Sequence, residues 1–287
     1  MAFEPPQRLV RALGEDDEWL ARLPETVQEA VDRRKLDVER AVAPGGRSGL
    51  VLLARQPDGT PAALKLAPPS AAPALERAAL EQWNGWGAVR LLDATDQELL
   101  LERLHPEVSL RSLPEAKALL EAAGTVRRLW VEPPAGHGFE TVTRRTGRQA
   151  ETMRASVEPL VAAALAARDE LVALPPEELL LHGNFRQGKV LSGDRVPWLA
   201  VGPEPLVGER AYDLARLVRD RVEDLIASSA GPSAARRRVN KLADSLEVDR
   251  ERLRGWTLFR AVESGTRAVA AGRRAEGELA LEFAGWL

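Results

Sequence analysis

Strand signals crowd into the first hundred residues of this chain and almost vanish after Leu104. The clearest is Leu50-Val51-Leu52-Leu53, the turn Pro57-Asp58-Gly59 and the returning run Ala62-Ala63-Leu64-Lys65-Leu66. Two short apolar runs around a turn signal read as a β-hairpin. A sheet that starts there cannot continue through a region whose apolar residues recur at helical spacing. Strands and helices are therefore segregated, which makes the chain α+β.

Around that hairpin the chain reads as follows. Arg8 to about Val42 is helical in character, with Leu9, Leu13, Trp19, Leu20 and Leu23 apolar amid charges and Pro24 interrupting the run. Pro73–Trp83 is a helix, and Ala88–Leu92 and Glu98–Glu102 are short strands around a polar turn. Beyond Leu104, helices are predicted at Pro114–Val131, Thr143–Ala173, Ala211–Ser228, Ala234–Ser245 and Asp249–Gly272, the last with a break near Gly255. Only Leu179–Asn184, Val190–Ser192 and Trp198–Val201 are strand-like there. The expected domains are a sheet lobe over residues 1–104 and a larger helical lobe over 105–287.

Composition removes several function classes. The 287 residues are 29% charged and 45% hydrophobic, which excludes wholly disordered and membrane-embedded chains. No run reaches 18 apolar residues and no secretory leader is visible, so a cytoplasmic protein with no membrane partner is expected. The absence of Cys removes thiolate metal sites and cysteine catalysis. His105, His137 and His182 are too scattered for a three-histidine metal centre, and no metal site is expected. A net charge of -3 gives no reason to expect nucleic acid. Among 40 Lys+Arg only five are Lys, so each lysine merits inspection.

Three blocks fit one pattern: Gly87-Ala88-Val89-Arg90-Leu91-Leu92, Leu100-Leu101-Glu102-Arg103-Leu104, and Trp198 through Leu214. On these, the chain from about Val42 to Leu217 resembles the aminoglycoside phosphotransferase superfamily. The likeness is to its streptomycin 6-kinase-like and hydroxyurea phosphotransferase-like branch. The resemblance implies a protein-kinase-like two-lobe fold, ATP as phosphoryl donor and antibiotic hydroxyls as acceptors.

The first lobe keeps much of what the resemblance implies for nucleotide binding. Gly45-Gly46-Arg47-Ser48-Gly49 matches the nucleotide-covering turn, with Gly46 and Ser48 as candidates, although it lacks the Gly-Lys-Ser/Thr ending of a Walker A loop. Lys65 matches the strand lysine that contacts phosphates. An ammonium in an apolar strand needs a partner, and Glu76 on the next helix resembles the carboxylate that orients it. Glu102 and Leu104 resemble the hinge whose backbone meets adenine.

The catalytic block departs from the family. Leu181-His182-Gly183-Asn184-Phe185-Arg186-Gln187-Gly188-Lys189-Val190-Leu191 stands where active relatives resemble His-Gly-Asp-Leu-His-x-Gly-Asn-Val-Leu. Asn184 then occupies the catalytic aspartate position, and an amide cannot act as that base. Lys189 takes the place of the magnesium-binding asparagine. Trp198-Leu199-Ala200-Val201-Gly202-Pro203-Glu204-Pro205 stands where relatives resemble Trp-Leu-Ala-Ile-Asp-Pro-Lys-Pro, so Gly202 replaces the main magnesium-binding aspartate. The three substitutions move the formal charge from -2 to +1, the wrong sign for a hard cation.

His182, Glu204, Tyr212 and Asp213 are read as supporting residues, Tyr212 and Asp213 as scaffold, with Lys189 neutralised by Glu204 or by an anion. The acceptor pocket is expected in the helical lobe, around Thr143–Ala173 and the last helices, with Trp256 and Glu263 as residues that could face it or belong to core and surface. Three functions follow. The leading one is a catalytically inactive pseudokinase that binds ATP or another nucleotide, or a small hydroxylated metabolite, without a normal Mg²⁺ site. The second is an active phosphotransferase with a non-standard metal site. The third is a scaffold for a protein partner.

Overall fold

The computed structural model describes residues 4–287. Its contacts divide the chain into two compact units, residues 1–109 with 191–201, and residues 110–190 with 202–287. The first is built on an antiparallel sheet and the second is larger and mostly helical, the α+β arrangement expected.

In the first unit, α1 (Gln7–Leu13) and α2 (Glu18–Arg34) precede β1 (Asp37–Ala41), β2 (Leu50–Arg55) and β3 (Pro61–Leu66); α3 (Pro73–Trp83), β4 (Leu91–Ala94), β5 (Glu98–Glu102) and β6 (Leu104–Ser109) follow. The main sheet has the order β1-β2-β3-β5-β4, antiparallel throughout. Side chains alternate between its faces. Leu50, Leu52, Ala62, Leu64 and Leu66 pack with Leu9, Leu20, Leu23 and Val27 from the two leading helices. Ala63 and Lys65 therefore point to the opposite face, the side on which Glu76 of α3 meets Lys65.

Helical character was expected as far as Val42, but α2 ends at Arg34 and Asp37–Ala41 is an edge strand with a register shift between Val38 and Arg40. Charges and a bulge are how exposed sheet edges avoid further pairing, and they disguise the strand's period. Pro24 does not interrupt α2, which runs through it. Of the expected Ala88–Leu92 strand only the end is laddered, while Ala88 bridges Ala200.

The second unit contains α4 (Glu115–Arg127), β7 (Glu140–Thr141), α5 (Val142–Met153), α6 (Leu160–Ala173) and β8 (Leu179–Leu181). The chain then makes β9 (Val190–Gly193) and β10 (Trp198–Ala200), which extend β6 into a three-stranded sheet of the first unit. It returns through β11 (Leu206–Gly208) to α7 (Arg210–Val218), α8 (Val222–Ile226), α9 (Gly231–Leu246), α10 (Arg250–Ala270) and α11 (Arg274–Ala284). Two expected helices are each split. Thr143–Ala173 divides between α5 and α6, and Ala211–Ser228 breaks where Arg221 takes φ 56°. The expected break near Gly255 is absent, because α10 is continuous for 21 residues. Its buried face carries Leu253, Trp256, Phe259 and Val262, and α11 packs beside it. Among the described residues no helix is long and apolar enough to cross a membrane.

Candidate functional site

The candidate residues fall into two groups, one in each unit. In the first unit the strand alternation and the first turn of α3 bring Lys65 and Glu76 into an ion pair. Both are buried, at 8% and 4% exposure. Such a pair is costly to break because the survivor is left as an uncompensated charge. Gly46 and Ser48 are exposed in their turn. Glu102 is engaged within its own unit: Oε1 accepts from the Arg90 N–H at 2.7 Å, and Arg195 donates to both oxygens at 2.6 and 3.0 Å. Leu104 is buried and pairs with Gly193.

In the second unit the segments 182–184 and 202–204 are held side by side. The Glu204 N–H donates to the His182 carbonyl at 2.9 Å. Gly183 has φ 74°, and a Cβ there would lie 1.9 Å from the Glu204 carbonyl oxygen, so only glycine allows this approach. Asp213, fully buried at the start of α7, fixes the loop from beneath by accepting from the His182 N–H at 2.9 Å and the Gly183 N–H at 2.8 Å. Burial nevertheless pushes its carboxyl up to about 6, against the pull of those bonds and of Arg260. His182 is fully buried; its Nδ1 accepts from the Asn184 N–H at 3.2 Å and its ring packs edge-on against Phe185.

This loop places three substituted residues and Glu204 in one network. Asn184 Nδ2 donates to Glu204 Oε1 at 2.5 Å, while Asn184 Oδ1 is buried with no hydrogen-bond partner. Lys189 Nζ donates to the Gly202 carbonyl at 2.6 Å. Gly202 takes φ 58°, and a Cβ on it would come within 2.9 Å of that ammonium, so Lys189 fills the space a side chain at 202 would enter. Burial raises the Glu204 carboxyl, but Lys189, the Asn184 bond, Arg216 and Arg260 outweigh it and hold it below its ordinary range.

Magnesium requires several oxygen ligands and tolerates no cation among them. Here Glu204 offers one carboxylate, bonded at one oxygen to an amide and under the influence of the Lys189 ammonium, Gly202 offers only a carbonyl already bonded to that ammonium, and no three His, Asp or Glu among the described residues are grouped to hold a metal ion. These residues do not fit Mg²⁺. What they can do is present a fixed positive charge at Lys189 and a free amide acceptor at Asn184 Oδ1.

Further from the loop, Trp256 is core: it is 1% exposed, its Nε1 donates to Glu209 at 2.7 Å, and it stacks edge-on with Tyr212 and Phe259. Tyr212 is likewise buried, under the Arg260 guanidinium at 4.4 Å. Glu263 pairs with Arg267. Arg216, Arg219 and Arg260 were not among the expected residues: Arg216 and Arg260 act on Glu204, Arg260 acts on Asp213, and Arg219 lies beside Arg260. The i, i+3 spacing of the first two on a helix that follows the loop was the available signal.

Comparison with known proteins gives a consistent placement. The chain is 35% identical to streptomycin 6-kinase of Streptomyces glaucescens over 286 residues, covering 96% of this chain and 92% of that one. It is 36% identical to hydroxyurea phosphotransferase of Kitasatospora aureofaciens, covering 92% and 77% respectively. The crystal structure of aminoglycoside phosphotransferase APH(4)-Ia shares the fold at a TM-score of 0.62 and 16% identity, over 92% of this chain and 97% of that one. Residues 34–272 match the family described as aminoglycoside/hydroxyurea antibiotic resistance kinase, and the chain belongs to that family.

Proposed function

We propose that this chain is a pseudokinase of its family: it binds a nucleotide, or a small hydroxylated metabolite, and does not transfer phosphate by a Mg²⁺-dependent route. ATP-binding capacity is typical of the family, and the buried Lys65–Glu76 pair supports its retention here. The observation that carries the loss of chemistry is Lys189 Nζ on the Gly202 carbonyl at 2.6 Å, a cation in the space where the family resemblance calls for a metal-binding carboxylate. Electrostatic stabilisation of the transferring group is the largest catalytic contribution in phosphoryl transfer. Without the metal, the remaining groups can bind phosphates but not organise their transfer.

One observation favours a second reading. Glu204, held in its ionised form, stands beside Asn184. A carboxylate there could receive an acceptor hydroxyl's proton in place of the missing aspartate, giving a metal-independent kinase.

Calorimetric titration with ATP and ADP, with and without Mg²⁺, separates these. The pseudokinase should bind with an affinity unchanged by Mg²⁺ and weakened at least tenfold by Lys65→Ala. It should yield no phosphorylated streptomycin or hydroxyurea by mass spectrometry. Product that disappears in Glu204→Gln would establish the second reading instead. Failure of both nucleotides to bind would leave the scaffold.

A further inference from the structure

Arginines gather in one part of the second unit, beside Glu204 and Asp213. Arg216 lies in the last turn of α7 and Arg219, three residues on, is the residue that caps its C-terminal end. Arg260 reaches them from α10, and Arg186 from the loop before Lys189. All four are half-buried.

The hydrogen-bond partners of Arg219 and Arg260 are neutral. Arg260 donates to the carbonyls of Gly183 at 2.9 Å and Tyr212 at 3.0 Å. Arg219 donates to Ser264 Oγ at 3.1 Å and the Arg260 carbonyl at 3.5 Å. Arg216 has no hydrogen bond or ion pair among the described residues, and its carboxylate neighbour Glu204 is bonded to Asn184.

The other acids nearby have hydrogen-bond or ion-pair partners of their own. Asp213 accepts two backbone N–H groups, Asp220 accepts from the Gln187 N–H, and Glu263 pairs with Arg267. Burial and the neighbouring guanidinium groups pull Arg216 down to about 9; burial and Arg260 pull Arg219 down to about 10.

Guanidinium groups crowded together in this way repel one another, and the arrangement is unfavourable until an anion joins it. We propose that Arg216, Arg219 and Arg260, with Arg186 beside them, form a phosphate-binding site of the second unit. Its ligand is a small molecule bearing a phosphate or pyrophosphate group. Guanidinium forks suit phosphate because they offer paired N–H donors to its oxygens. Arg216 supplies the uncommitted fork, while Arg219 and Arg260 are held in place by their neutral partners.

Inorganic pyrophosphate, titrated into the full chain without divalent metal, is the probe. Binding should fall at least tenfold in Arg216→Gln and stay within twofold in Lys65→Ala. Arg216→Gln should also melt at a higher temperature than the parent when no anion is present, since an unpaired cation among cations has been removed. A purely structural arginine would give the opposite shift. Should Arg216→Gln fail to fold, Arg216→Lys keeps the charge, loses the fork and should bind severalfold more weakly. A parallel titration with ADP identifies the source of the phosphate. Equal weakening of ADP by Arg216→Gln assigns the site to the nucleotide's own phosphates, and unchanged ADP binding assigns it to a separate ligand. No binding of pyrophosphate, or binding lost in Lys65→Ala and kept in Arg216→Gln, would overturn the proposal.

Discussion

The Lys65 pair of the first unit and the 182–204 loop of the second handle buried charge in opposite ways. The first places Lys65 inside and answers it with Glu76, full charge against full charge. Around the 182–204 loop the second unit answers charges with dipoles. Arg260 has two carbonyls, and Asp213 has two backbone N–H groups. A matched pair is electrically closed, whereas charges held by dipoles keep their field. The first arrangement holds one lysine in a fixed place; the second leaves positive charge available to something else.

The largest effect should come from opening the closed pair. Glu76→Ala strands the Lys65 ammonium in the interior and should cost about 3–5 kcal/mol of unfolding free energy, measured by urea denaturation. A loss below 1 kcal/mol would mean that Lys65 escapes to water and that the contrast between the units is false.

Next is the pH dependence of the dipole-held acid. The Asp213 carboxyl sits at about 6 against an ordinary 3.8, so between those values the native chain retains a proton that the unfolded chain has released. Stability should therefore fall as pH rises through this window, by on the order of 3 kcal/mol once the shift is complete. Asp213→Asn should flatten that slope. It should also lower stability at pH 4 by about 1–3 kcal/mol, because one of the two N–H groups loses its acceptor. A slope unchanged by the substitution would assign it to other groups.

The smallest effect concerns the lysine that replaces a metal ligand. Gly202→Ala should cost about 1–2 kcal/mol from its left-handed backbone alone, and more because the new Cβ meets Lys189 Nζ. Adding Lys189→Ala removes that crowding, so the double variant should be more stable than the sum of the singles by about 0.5 kcal/mol or more. Strict additivity would show that Lys189 does not occupy the space beside Gly202.

The hairpin, α3 and β5 were legible because their signals are local: period-2 apolar runs, a Pro-Asp-Gly turn, and Pro73 opening a helix. The partnership of Lys65 and Glu76 followed from the same reasoning joined to the family likeness. Strand β1 was hidden by its charged edge, whereas the split between α5 and α6 had a local signal in Pro159, which stands just before α6. For the arginine cluster, composition was an obstacle. In an Arg-rich chain no single arginine stands out, and only the packing of α7 on α10 shows which ones share a neighbourhood.

The passage of residues 191–201 through the first unit bears on how the protein is made. When the ribosome has delivered Ser109, strand β6 still lacks its neighbour β9, about eighty residues further along. At roughly 5–20 residues per second, synthesis leaves that edge unpaired for several seconds. The N-terminal unit is begun first but cannot be finished first. For that interval β6 is an open strand edge, the kind of surface on which nascent chains aggregate.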